Sequence, residues 1–344
     1  MPRTRVVAIR TQPETVGEDV ARALRLLRTR RSPSAAGTWI VFDAPRSGPG
    51  TATPPWTLDA VLTQMSERPG TTAPRVGAVG WDPERPVDEA VARVLAHHDA
   101  RAEALVPEGD EGRRAAPRVD LPWLRGQRAA EPTVDADLIG RDLIHCGALV
   151  RDPDAGWSGA VDGALRTVAR PDELQRRDPQ TMIDLLRLHD AAFASTLYLL
   201  DATVCGATDP GQRPELHDLL LAGSDPLTID AVAARVLGFD PERVPWLRTV
   251  AEAERRDLTP GAIEIVGGGF GASSAAGAAP HGGRALARAR SGRRRGARWL
   301  DRIDLTRWIA RLRRRGWVRT YERTPWGRLD EDYRRAGRPR IGGA

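Results

Sequence analysis

The strongest constraint on this 344-residue chain is a repeated change of hydrophobic period. RVVAI (5–9) reads as a strand, and VGEDVARALRLLR (16–28) has the three-to-four-residue apolar spacing of an amphipathic helix. The same pairing recurs in TWIVFD (38–43) with TLDAVLTQM (57–65), and in RVGAVGWD (75–82) with VDEAVARVLAHHDA (87–100). Further strands are expected at DLIHCGALV (142–150), TLYLLD (196–201), DLLLAG (218–223) and AIEIVG (262–267), with a helix across Met182–Phe193. Parallel neighbours need crossovers long enough to hold a helix. The pattern therefore predicts an α/β fold, a mostly parallel sheet flanked by helices. Residues 107–135 are rich in charge and proline and read as a long connection, and no internal repeat is evident.

The alternation stops at GGGFGASSAAGAAPHGG (267–283), a low-complexity stretch with the composition of a flexible linker. The expected organisation is an α/β domain over 1–268, a Gly/Ala/Arg-rich linker over 269–297 and a basic C-terminal extension over 298–344. Within the extension, RWLDRIDLTRWIARLRRRGW (298–317) has amphipathic spacing. Charge follows the same division. Residues 281–344 hold 20 arginines against six acids, net +14, whereas the whole chain is +6, which leaves −8 for residues 1–280. Trp299, Trp308, Trp317 and Trp326 lie among those arginines. Such a segment over 284–340 suits an acidic protein, a nucleic-acid backbone or a membrane surface. It equally suits a helix whose tryptophans pack back on the domain while its arginines stay in water.

Composition excludes several chemistries. All 52 basic residues are arginine, so no Schiff-base lysine, lysine general base or P-loop lysine operates from this chain. Two cysteines, Cys146 and Cys205, cannot supply the four thiolates of an ordinary iron–sulfur cluster or a disulfide framework. The six histidines lack zinc-type spacing; His97 and His98 end a helix and read as surface groups. There is no G-x-S-x-G elbow, and GGGFG (267–271) lacks the helix that a dinucleotide-binding turn requires. No run of about 18 apolar residues occurs, so no transmembrane segment is expected. MPRTRVVAIR lacks the apolar core of a secretory signal, and a cytoplasmic location is expected.

Four predicted strands lead into an acid: Asp43, Asp82, Asp201 and Asp225. Ligands of open α/β sheets bind beyond the carboxyl ends of strands. If these strands run parallel, their carboxylates share one rim and suit a hard divalent cation, sugar-like hydroxyls or acid–base work. Aspartate is also an ordinary turn former and N-cap. After the last strand, SDPLTIDAVAARVLGFD (224–240) reads as a helix with Ser224 or Asp225 as N-cap, Pro226 at its first position and Gly238 as its stop. Ile229, Val232, Ala233 and Val236 form one apolar stripe; Leu227, Ala234 and Leu237 form another that contains Asp230. Asp230 is thus expected to face protein, where a carboxylate must be paired, hydrogen-bonded or protonated.

LLLAGSDPLTIDAVAARVLGFDPERVPWLR resembles the most characteristic segment of the domain of unknown function 362 family, a strand, a D-P-V-A-x-D-A-V-A-A-like helix, then G-x-D-P. DLIHCGALV through WSGAVDGALRTV (142–168) is similar to its K-x-H segment and following A-L-K-N-like helix; YLLDATVCG (198–206) and TWIVFDAP (38–45) match two strand ends. The family lysines fall on Leu143, Asp43 and Arg166; only His145 survives from K-x-H. Many family members carry a ferredoxin-like cysteine segment, absent here. The resemblance covers 5–268 and implies fold and site location more than reaction. The expected acid–base residues are His145 and Asp230. Asp201 and Asp225 are the expected ligands of a divalent metal, and Arg166, Ser224 and Asp82 the expected contacts of a small polar or anionic substrate. The expectation is an enzyme, metal-assisted or redox-linked. Its alternative is a non-catalytic scaffold with a decayed site and a recruiting basic tail.

Overall fold

The central strands are apolar on both faces, so each face needs a cover of helices. The computed structural model describes residues 4–27, 38–44, 50–67, 74–79, 88–105, 114–115, 119–127, 134–152, 154–168, 178–207, 213–267 and 318–336. The strands, in chain order, are β1 (Thr4–Arg10), β2 (Thr38–Asp43), β3 (Arg75–Val79), β4 (Ala102–Leu105), β5 (Arg114–Ala115), β6 (Val134–Asp135), β7 (Asp142–Ala148), β8 (Val150–Asp152), β9 (Gly156–Ser158), β10 (Ser195–Asp201), β11 (Val204–Cys205), β12 (Glu215–Leu216), β13 (Leu219–Gly223) and β14 (Ile263–Val266). The helices are α1 (Val16–Leu26), α2 (Pro55–Ser66), α3 (Glu89–His97), α4 (Pro122–Gln127), α5 (Ala160–Arg166), α6 (Pro179–Ala192), α7 (Pro226–Val236), α8 (Pro245–Ala253) and α9 (Pro325–Ala336).

Eight strands form one sheet in the order β14-β1-β13-β10-β7-β2-β3-β4. Every neighbouring pair is parallel except those made by β13, which runs against both β1 and β10. The predicted mostly parallel α/β sheet is therefore present, with one reversed strand. Alternation along the strands sorts the core into two halves. Val7, Ile9, Ile40, Phe42, Cys146 and Leu199 face α1, α2, α3 and α9. Val6, Ala8, Val41, Leu143, Tyr198 and Leu221 face α5, α6, α7 and α8.

Chain order gives the sheet a reversal point. From β2 it grows outward through β3 to β4, with α2 and α3 on the first face. From β7 it grows the other way to β10, with α5 and α6 on the second. The boundary between β2 and β7 is thus where successive crossovers leave on opposite faces, the place at which open α/β sheets form a crevice beyond their strand ends.

Three expectations need correction. Residues 107–135 contain α4 and the short β5–β6 pair as well as loop. His98 is no surface group: its side chain is 9% exposed and Nε2 lies 2.7 Å from Asp59 Oδ1. The described end of the tail belongs to the domain. Trp326, Leu329 and Tyr333 repeat at helical spacing and are buried on the first face. Trp326 lies 5.3 Å from Trp56, ring centre to ring centre, and donates to Asp218 at 2.7 Å; the Tyr333 hydroxyl donates to Asp59 at 2.8 Å. Asp82, residues 268–317, and with them the linker, Trp299, Trp308 and Trp317 lie outside the described residues.

Candidate functional site

β2 and β7 pair in parallel with His145 opposite Val41, so Asp43 stands two residues nearer the rim on the same face as His145. His145 Nε2 lies 3.9 Å from Asp43 Oδ1. The imidazole is 2% exposed, and among the described residues its Nε2 has no hydrogen-bond partner. The Asp43 side chain is 12% exposed, so the pair reaches the rim on the carboxylate side. Burial pushes the His145 pKa down, while the nearby Asp43 charge pulls it up. The downward direction keeps the imidazole neutral, able to accept a proton.

The surroundings are closely built. Gly147 puts no side chain between the two groups: a methyl there would lie 3.4 Å from Asp43 Oδ2 and 3.6 Å from His145 Cε1. Gly163 of α5 lets the helix backbone roof the imidazole, since a methyl on it would lie 2.8 Å from Nδ1. Tyr198 of β10 is in register with His145, with ring centres 6.0 Å apart, and its hydroxyl is 3.4 Å from His189 Nε2. Across the rim, the Thr53 hydroxyl donates to the Cys146 carbonyl at 2.5 Å and accepts from Asp43 N at 2.9 Å, which ties the loop after β2 to β7.

The expected site residues separate into distinct roles. Asp201 is 1% exposed and accepts from Thr203 N at 2.8 Å, the Thr203 hydroxyl at 2.6 Å, Trp56 Nε1 at 3.1 Å and the Thr57 hydroxyl. Four donors occupy it as an anchor between β10 and α2; burial raises its pKa against those donors. Asp225 caps α7, accepting from Leu227 N at 3.0 Å and Thr228 N at 3.4 Å, and pairs with Arg256 Nε at 2.9 Å. Because β13 is reversed, Ser224 and Asp225 lie at the opposite rim. Leu220 is in register with Asp201, and Asp225 is five residues further on. That is about 16 Å along the strand direction. The pair expected to share a metal is not brought together. Among the described residues, no group of three or more His, Cys, Asp or Glu side chains is placed to hold a metal ion.

Asp230, expected to work directly on substrate, instead anchors a helix. Its carboxylate is 1% exposed and accepts from Ala160 N at 2.7 Å and Val161 N at 3.1 Å, the first N–H groups of α5. Burial raises its pKa to about 7, and the two backbone bonds oppose the shift. Asp225, Pro226 and Gly238, at φ +81°, mark the helix ends where the sequence puts them. Arg166 is held by Asp162: Nη2 lies 2.6 Å and Nε 2.8 Å from one carboxylate oxygen, which also accepts from the Ser158 hydroxyl at 2.5 Å. Asp43 and Asp162 escaped the expected site. Asp43 was visible as one of four strand-end acids and as the residue in the place of a lysine of the resembled family, and Asp162 carried no signal beyond its i, i+4 spacing to Arg166.

No family model, curated protein or solved structure matches the chain.

Proposed function

We propose that this protein is an enzyme that transfers a proton to or from a small polar substrate at the carboxyl ends of β2 and β7, with His145 as the acid–base group. One observation carries the reading: a buried imidazole whose Nε2 makes no hydrogen bond among the described residues faces a carboxylate at the reversal point of the sheet. A buried nitrogen left unbonded costs about 1–3 kcal/mol. His189 Nδ1 and His217 Nε2 share that state, and of the three His145 is the one that stands on β7 at the reversal point of the sheet, facing Asp43. Asp43, 3.9 Å from Nε2, stabilises the protonated ring through its charge, and Gly147 places no side chain between the two groups. The neutral resting imidazole makes general-base action the first step. Arg166 and Asp162 offset each other's charge, so they favour an uncharged polar group over a strongly anionic one.

We further propose that the chain is a divergent relative of the domain of unknown function 362 family. This rests on the dense segment 219–248 and on His145 in the place of the K-x-H histidine. A cytoplasmic setting is proposed on the two buried, unlinked thiols.

The test is a stability-shift screen of small hydroxylated, carboxylated and carbonyl compounds against the wild-type chain, His145→Gln and Asp43→Asn, followed by turnover assays on each hit. The expected result is a ligand whose conversion is lost in His145→Gln and reduced at least about 100-fold in Asp43→Asn. Conversion that survives His145→Gln unchanged refutes the proposal.

A further inference from the structure

We infer that Asp230 is a positioning residue for His145, acting through the first turns of α5. The inference rests on the acid–base reading of His145, but its measurement does not. Asp230 sits on α7 and holds Ala160 N and Val161 N, fixing where α5 begins. Two residues past Val161, Gly163 lies directly over the imidazole, without room for a methyl. The same turn carries Asp162, whose charge acts on both His145 and Asp230. The start of α5 is closely fitted too: a methyl on Gly159 would overlap Asp230 Oδ1 and lie 3.1 Å from its Cγ. Displacing the anchor therefore displaces the roof of the imidazole and opens it to water.

The groups that face His145 are Asp43 from β2, Asp162 from α5, His189 from α6 and Tyr198 from β10. Those that face Asp230 are the α5 backbone, Asp162 and Tyr198. Asp230→Asn keeps the shape but presents an amide N–H₂ to one of the two N–H groups. Gly159→Ala keeps every charge and forces the anchor apart by size. Both should reduce the burial that depresses the His145 pKa, and burial is the larger influence on that group.

The experiment is an NMR titration of the His145 ring in the full chain. The wild type is compared with Asp230→Asn, Gly159→Ala and Ile229→Val, the last a core truncation beside Asp230 on α7. The positioning role predicts that the midpoint rises toward the ordinary histidine value by about half a unit or more in the first two variants and stays put in Ile229→Val. An unchanged midpoint in both, or an equal shift in Ile229→Val, overturns the inference. A shift in Asp230→Asn alone also overturns it, because that would be charge acting through space. If Asp230→Asn does not fold, Gly159→Ala against Ile229→Val decides. If both fail, the wild type decides: the His145 ring must respond at the midpoint reported by the Ala160 and Val161 amides, and independent midpoints overturn the inference. The readout needs no substrate. The coupling can therefore hold while His145→Gln spares turnover, or fail while His145 proves essential.

Discussion

Trp326→Ala asks whether the C-terminal helix is part of the domain or a free basic tail. The indole is 1% exposed, packs tilted at 35° against Trp56 and donates its only N–H to Asp218. Emptying such a site costs roughly 3–5 kcal/mol through lost burial and the cavity left behind. Trp326→Phe keeps most of the ring contact and loses the hydrogen bond to a half-buried carboxylate, about 1–2 kcal/mol. Arg328→Ala, exposed on the same helix, should stay within about 0.5 kcal/mol. Each kcal/mol lowers Tm by roughly 2–4 °C for a domain of this order of size, so the alanine variant should melt some 6–20 °C early. Urea unfolding of the four proteins at pH 7.5 measures the differences directly. A Trp326→Ala effect no larger than that of Arg328→Ala would falsify the docked helix and return this segment to the role of a recruiting arm.

Two glycines on helices should respond oppositely to the same change. Gly17 in α1 has nothing within 4 Å of a new methyl, so Gly17→Ala should stabilise by about 0.5–1 kcal/mol; Gly163→Ala drives a methyl into the boxed-in His145 ring and should cost about 1–3 kcal/mol, both read from urea midpoints. Equal signs would contradict the close approach of α5 to the imidazole. Acid titration should separate Asp230 from the histidines. His145 and His189 have pKa values lowered by burial, so the unfolded chain takes up their protons first, and stability is lost as pH falls below about 6.5. Asp230 behaves the other way. Its folded pKa of about 7 lies above the unfolded value of 3.8, so the folded state binds its proton first and gains stability as pH falls between those values. The stability difference between wild type and Asp230→Asn should therefore grow by about 2–3 kcal/mol from pH 8 to pH 5; a flat difference refutes the raised pKa.

Most elements were legible because each central strand and crossover helix carries its own period. RVVAI, TWIVFD and TLYLLD fall inside β1, β2 and β10, and α7 begins and ends at its cap, proline and glycine. The burial of Asp230 was also legible, since a carboxylate inside an apolar stripe has nowhere else to face. Long-range polar contacts were not. Asp59, His98 and Tyr333 meet across 274 residues between the first and last, and neither spacing nor composition encodes such a meeting. The α9 stripe of Trp326, Leu329 and Tyr333 is readable in retrospect, but neighbouring arginines outweighed it.

The direction of β13 decided the fate of the expected site. Five consecutive buried residues, Leu-Leu-Leu-Ala-Gly, pair with either polarity, because a run apolar on both faces carries no directional signal. Once β13 runs against its neighbours, a strand-end acid no longer implies a shared rim, and Asp225 becomes the cap of a helix at the far end. What distinguishes the remaining acids and bases is hydrogen-bond accounting, not residue type. Asp201 has four donors, Asp230 two backbone N–H groups, and Arg166 a carboxylate; each is spent on holding elements together. His145 Nε2 alone among these expected groups is buried without a hydrogen bond in the described residues, and it lies where the sheet reverses its direction of growth, between β2 and β7. A buried group with unspent bonding capacity is the one that can form a bond with substrate without first breaking one within the fold.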